Sequence, residues 1–226
     1  MIASMLAVWS MVLAGASGLT RKEQPVDCPP GAAWHEEDDV LRYTPANDEP
    51  LSRVGWCEKP DGTRHGPMRL YWKSGYLRSE STFVDGVETG PLTTFYADGK
   101  PQIEAANKDS KLHGRYVYWH ANGQRAREMY YDDGRPHGYA MYWDEAGTKT
   151  AQGAYVDGKK QGEWDAWHQN GVFREVTRWQ DGRLSGRQLV WAEGGVFYLG
   201  TCWRDGEKIW DERNETEART RECRPF

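Results

Sequence analysis

Three histidines, seven aspartates and four cysteines stand at spacings that invite chemistry. His65, His113 and His137 share one recurring position, and Asp61, Asp85, Asp109, Asp133, Asp157, Asp181 and Asp205 recur every 24 residues. Imidazoles in register could ligate a metal, and carboxylates in register could form the acid–base pair of a glycosidase. If one period is one hairpin, equivalent side chains stand two strands apart, about 9–10 Å. Metal ligands lie about 2 Å from their ion, so His113 and His137 cannot readily share one. His120 and His168 lie two periods apart and fail by the same measure. Carboxylates tolerate the spacing, since glycosidase pairs stand about 5–10 Å apart. Each aspartate, however, directly precedes a turn residue, usually Gly, where an Asx side chain bonds local backbone. The histidines are therefore expected to belong to the repeat motif and the aspartates to its turns. No GxSxG, HExxH, phosphate-loop or dinucleotide pattern occurs. The expectation is a non-enzyme with no catalytic residues, no metal and no cofactor.

Cys28 and Cys57 precede the periodic region, and Cys202 and Cys223 lie at its end. None sits in a CxxC pair, which excludes zinc-ribbon and thioredoxin-like readings. The thiols either stay free or pair in one of three connectivities. Cys28–Cys57 with Cys202–Cys223 is favoured, because each bond ties a flank to the nearest end of the array. Each closed loop is worth about 3 kcal/mol. Disulfides imply an oxidising compartment. In agreement, Met1 to Leu19 carries no charged side chain, and Ala14-Gly15-Ala16 gives the small-residue pattern of a cleavage site ahead of Arg21-Lys22-Glu23. A signal peptide over 1–16 and export to the periplasm or beyond are expected, although the stretch lacks a basic n-region. The alternative is a membrane anchor through residues 1–19. Ala16 stands where a lipoprotein would carry its cysteine, so lipidation is not expected.

The elements that position these residues follow from the period. Gly66, Gly90, Gly114, Gly138, Gly162 and Gly186 form one column, and Gly75, Gly99, Gly123, Gly147, Gly171 and Gly195 another. A further column is always aromatic: Tyr71, Phe95, Trp119, Trp143, Trp167 and Trp191. A last one reads Phe83, Tyr131, Tyr155, Trp179 and Trp203, broken only by Asn107. Six units result: 61–84, 85–108, 109–132, 133–156, 157–180 and 181–204. Each has an Asp-Gly-type turn at its start and a second turn signal mid-unit, such as Asn122-Gly123, with Tyr, Trp, Val and Thr-rich segments between. One unit is one antiparallel hairpin, no segment has helical periodicity, and the fold class is all-β. Twelve strands would span about 55–60 Å. The fixed glycine inside each first strand is expected to lie beneath a neighbouring aromatic ring.

The pattern DGxxxGxxxxYW…G…YxDG resembles the MORN (membrane occupation and recognition nexus) repeat, in particular the bacterial variant labelled an antitoxin component. The cleanest copy runs from Asp133-Gly134-Arg135-Pro136-His137-Gly138 through Tyr142-Trp143 to Gly147. The resemblance covers 61–204 and implies one elongated, twisted antiparallel sheet with a shallow groove. It implies scaffolding roles, sometimes at membranes, and brings no catalytic residues. Asn107 and Asp109-Ser110 depart from the pattern, and an irregular joint is expected there.

Composition narrows the partner. The chain has 12 Trp and 12 Tyr among 226 residues and a formal charge of -5 with the two signs interleaved, so nucleic acid is not expected. No polybasic patch favours membrane lipid. Alternation places the fixed aromatic column on one face and its neighbours on the other. That opposite face carries Leu70 and the candidate binding residues Trp72, Tyr96, Tyr116, Tyr118, His120, Tyr142, Trp164 and His168, whose types vary between units. Varying Tyr and Trp suit binding hot spots; equally, a one-layer sheet needs rings on both faces to hold together. The expected function is an exported protein-binding scaffold. Cell-wall polysaccharide binding and an immunity or antitoxin-like role are the alternatives. Residues 17–60 are expected to form a disulfide-tethered cap with a short strand near Val54–Cys57, and residues 205–226 a partial repeat and cap.

Overall fold

The computed structural model describes residues 26–38 and 51–223. The expected signal peptide lies outside the described residues. Two strands precede the repeats, β1 (Ala33–Asp38) and β2 (Leu51–Glu58). The first two units give β3 (Arg64–Trp72), β4 (Leu77–Val84), β5 (Val87–Phe95) and β6 (Pro101–Lys108). The third gives β7 (Lys111–Leu112), β8 (Gly114–Trp119) and β9 (Arg125–Asp132), and the fourth β10 (Arg135–Pro136), β11 (Gly138–Trp143) and β12 (Lys149–Val156). β13 (Lys159–Trp167), β14 (Phe173–Gln180), β15 (Arg183–Trp191) and β16 (Phe197–Arg204) complete the array. β17 (Glu207–Glu212) opens a seventh unit, and α1 (Glu215–Thr220) follows it. All 17 strands among the described residues belong to one sheet. Pairing is antiparallel and sequential, each hairpin hydrogen-bonding to the next.

Two kinds of turn alternate along the edges. Between units, both central residues have positive φ, as at Asp133 (47°) and Gly134 (78°), the geometry that matches strand twist in a two-residue hairpin. Ser110 (φ 61°) takes the glycine's place once. The second turn residue also donates to the preceding unit: Gly134 N to Leu112 O and Gly158 N to Pro136 O, each at 2.8 Å. The inter-unit turns thus stack on one another. Mid-unit, Gly75 N donates to Trp72 O and Trp72 N to Tyr76 O, a turn closed by one left-handed glycine.

The fixed glycine has a different cause from the one expected. At Gly90 the register slips: Thr82 alone faces Thr89, Gly90 and Pro91. Similarly, Arg178 faces Ser185, Gly186 and Arg187. The glycine sits in this bulge with φ between 70° and 118° across the six units, a conformation L side chains rarely adopt. No ring covers the column: the atoms nearest a Cβ at Gly66 belong to Pro29 and Cys57, and those at Gly186 to Arg178. Rings instead overlie Gly55 (Trp34) and Gly153 (Trp164), where an added Cβ would come within 2.1 and 2.2 Å. Nor is the joint at Asn107 special. The strand breaks at His113, but it breaks again at His137 in the cleanest copy, because both interruptions are this same bulge.

The flanks are more ordered than the sequence indicated. β1 pairs along its whole length with β2, from Ala33↔Glu58 to Asp38↔Arg53. The helix α1 starts at Asn214, whose side chain accepts from Glu217 N at 3.1 Å. Both disulfides form as expected, Cys28–Cys57 and Cys202–Cys223. Such bonds suit an oxidising environment. Among the described residues no helix is long and apolar enough to cross a membrane.

Candidate binding faces

The sheet has two aromatic faces. On the first, here the core face, Tyr116, Met129, Ala140 and Trp164 form a buried cluster flanked by Tyr118, Tyr131, Tyr142, Tyr155 and Trp179. Tyr155 meets Trp164 edge-on at 5.0 Å, and Tyr116 lies 5.3 Å from Tyr131. The Tyr142 and Tyr155 hydroxyls hydrogen-bond at 3.2 Å. Burial, then that bond, pushes the Tyr142 phenol well above its ordinary range. Lys160 rests over Trp164 (4.2 Å) and Trp179 (4.7 Å), and burial lowers its pKa.

The opposite face carries the fixed aromatic column as a ribbon. Trp167, Phe173, Trp191 and Phe197 follow one another with centroids 5.2, 6.3 and 5.9 Å apart. Cations lie over its rings: Arg53 over Tyr71, Arg125 over Trp119 and Trp143, Lys149 over Trp167 and Arg219 over Trp191.

The eight candidate binding residues divide into two groups. Trp72, Tyr96, His120 and His168 are the first residues of the mid-unit turns in the first, second, third and fifth units, and each reaches the next unit's fixed aromatic. Trp72 Nε1 donates to Phe95 O (3.2 Å) and Tyr96 Oη to Trp119 O (2.5 Å). His120 Nε2 lies 2.9 Å from Trp143 O and His168 Nε2 2.8 Å from Trp191 O. What these positions share is a donor, which explains why Trp, Tyr and His interchange there. The fourth unit places Asp144 at this position, and its carboxylate instead caps its own turn through Ala146 N and Thr148 N. Tyr116, Tyr118, Tyr142 and Trp164 form the second group and meet on the core face, with Tyr116 and Trp164 buried. Tyr131, Tyr155 and Trp179, from the last aromatic column, join them.

The histidine and aspartate columns serve the inter-unit turns. His65 Nδ1 accepts from Asp85 N at 3.2 Å, and Gln161 fills the same role for Asp181 N at 2.9 Å. Lys111 pairs with Asp133 at 2.7 Å, and this hydrogen bond holds the exposed carboxyl below its usual range. Thr63 N donates to Asp61 at 2.9 Å. Among the described residues no group of His, Cys, Asp and Glu could hold a metal ion.

Sequence reasoning missed the rings that do stand open. Tyr130 (46% exposed) and Tyr139 (49%) alternate with core residues Met129 and Ala140, so they point to the ribbon side. The equivalents of Tyr130 include Thr82, Ala106 and Arg178, and those of Tyr139 include Pro67, Arg115 and Glu163. The fold needs no ring at either column. That variability is visible in the sequence, where both columns mix rings with small, polar and charged residues.

Residues 112–133 match the family model described as MORN repeat variant. The chain carries a MORN repeat of this variant at these residues. The matched stretch holds β8, β9 and the mid-unit turn between them, the same parts that recur in every unit. No curated protein matches the chain in sequence. Among solved structures it is similar to a mutant of S. aureus TarM in complex with Fondaparinux, alpha-GlcNAc-glycerol and UDP. That likeness has 15% identity and a TM-score of 0.29, and covers 42% of this chain and 19% of that one. A second TarM crystal structure gives 16% identity, a TM-score of 0.28 and the same coverage. The chain spans about a fifth of the length of these structures, and so low a likeness carries no argument about the MORN array.

Proposed function

We propose that this MORN repeat protein is a non-catalytic scaffold that binds a protein partner outside the cytoplasm through an aromatic sheet face. The observation that carries the reading is the exposure of Tyr130, Tyr139 and Phe173, each close to half open, at positions where the repeat tolerates other residues. Tyr and Phe give large contact area at low entropic cost, and solvent-exposed rings of this kind mark interaction sites. The core-face tyrosines are tied within the sheet, Tyr142 to Tyr155, Tyr118 to Tyr96 and Tyr116 to Arg127, which supports a structural role there. The two disulfides support export. An immunity or antitoxin-like role would be one form of such binding, in which the partner is an exported toxin.

A second reading is a cell-wall polysaccharide binder, favoured by Tyr131, Tyr155, Trp179 and Trp203 standing one repeat apart. One experiment separates them. The full chain is immobilised and exposed to cell-envelope extract, beside a Tyr130→Ser, Tyr139→Ser variant checked for folding by circular dichroism. A protein partner captured by the first and lost from the second supports the scaffold. Retention of insoluble wall material, competed by soluble sugar, moves the reading to carbohydrate. Equal capture by both proteins removes these tyrosines from the site.

A further inference from the structure

Among the described residues one helix docks on the sheet, and its seat continues beyond it. Ala218 of α1 is fully buried, and a Cβ at Gly200 would lie 2.3 Å from its own. Arg219 lies 5.5 Å over the Trp191 ring, and Trp191 Nε1 donates to Glu215 at 3.4 Å. The helix therefore grips the ribbon with a carboxylate, a small side chain and a guanidinium at i, i+3 and i+4, which share one helical face.

The ribbon emerges from under α1 through Phe173 to Trp167, and Phe173 is 47% exposed. Two charges flank this open stretch. Lys149 lies 5.6 Å over Trp167. Asp165 is on the same side, because its neighbours Trp164 and Ala166 are buried on the core face. Gln152 bridges them, accepting from Lys149 at 3.0 Å and donating to Asp165 at 2.8 Å. Among the described residues neither charge makes an ion pair. One repeat further on, the positions equivalent to Lys149 and Asp165 are the uncharged Phe173 and Leu189. The fifth unit thus offers the same indole as the α1 seat, with an added cation for a carboxylate and an added anion for a guanidinium.

We propose that the ribbon over Trp167 and Phe173 docks a helix of a partner protein, one bearing Glu, a small residue and Arg at i, i+3 and i+4. This rests on the protein-scaffold reading and names its site. Charged pairs across the contact would set the register, with Lys149 meeting the glutamate and Asp165 the arginine. Val176 replaces Gly200 at the equivalent position, so the guest rides further from the sheet than α1 does.

The probe is a labelled synthetic peptide of residues 211–222, which carries Glu215, Ala218 and Arg219 without a cysteine. It is titrated by fluorescence anisotropy against the full, disulfide-intact chain. Saturable binding is expected, weakened about tenfold by Trp167→Ala or by Phe173→Ser, about 1.4 kcal/mol. Tyr118→Phe on the core face should leave it unchanged. Phe173→Ser at a half-exposed ring keeps the test valid should Trp167→Ala disturb folding. Absence of binding up to about 1 mM overturns the proposal. So does binding that appears only in a Cys223→Ser chain, because the peptide would then be refilling the α1 seat. If the peptide fails while a captured protein still depends on Tyr130 and Tyr139, this site falls and the scaffold reading stands.

Discussion

The two ends of the array solve one problem with different elements. At the N-terminal end a strand supplies the lid: β1 pairs with β2, and Trp34 lays its ring over Gly55. At the C-terminal end a helix does so: Ala218 sits on Gly200, while Arg221 O accepts from Arg187 and Glu222 O from Trp210. Both lids cover a glycine on the ribbon face, and both are tied down by a disulfide. A repeat array cannot bury its terminal units by stacking, so each end needs foreign material. Six residues of helix or strand hold poorly alone, which is why a covalent tether accompanies each. The outermost strands stay exposed and charged, as Glu36-Glu37-Asp38 in β1 and Glu207-Lys208 in β17 show, a composition that discourages edge-to-edge pairing.

If the tethers matter equally, removing either should have the largest effect. Cys28→Ser and Cys202→Ser are each expected to cost about 3 kcal/mol in urea unfolding. Loss of stability at one end only would break the parallel. The lids themselves differ in how they yield. Gly200→Val drives a branched side chain into Ala218, which a helix cannot turn aside, and is expected to cost about 1–3 kcal/mol. Gly55→Ala meets the side of the Trp34 indole, a single side chain that can swing clear, so its cost should stay below that of Gly200→Val. Reversal of that order in chemical denaturation would show that the strand lid is the more rigid.

Away from the ends the effects shrink. Tyr96→Phe deletes the donor to Trp119 O and should cost about 1 kcal/mol, read from the same unfolding curves. The smallest effect belongs to Asp133→Asn. Asparagine tolerates the positive φ of the turn, so only the charge is lost. The folded carboxyl titrates below its unfolded value of 3.8, and the Lys111 pair therefore stabilises above that pH and is lost as pH falls through the folded value. The variant should match wild type at acid extremes and fall slightly below it at neutral pH, in paired thermal melts across the range.

The repeat was legible because five registered columns fix two turns and two strands per unit. The disulfide pairing was legible because each cysteine pair flanks one end. The role of Gly90 and its equivalents was not, because a bulge and a ring contact both ask for glycine and only φ distinguishes them. His120 and His168 looked like variable surface because their shared property is a hydrogen-bond donor rather than a shape. β1 and α1 were hidden for another reason. Each is six residues long and too short for a periodicity to show.

The central claim, that the ribbon face meets a protein partner, is tested most directly by hydroxyl-radical footprinting of the full chain with and without its captured partner. The account predicts that Tyr130, Tyr139, Trp167 and Phe173 lose reactivity on binding while Tyr118 and Tyr142 keep theirs. Protection of the core-face tyrosines with an unchanged ribbon would contradict it and place the partner on the opposite side of the sheet.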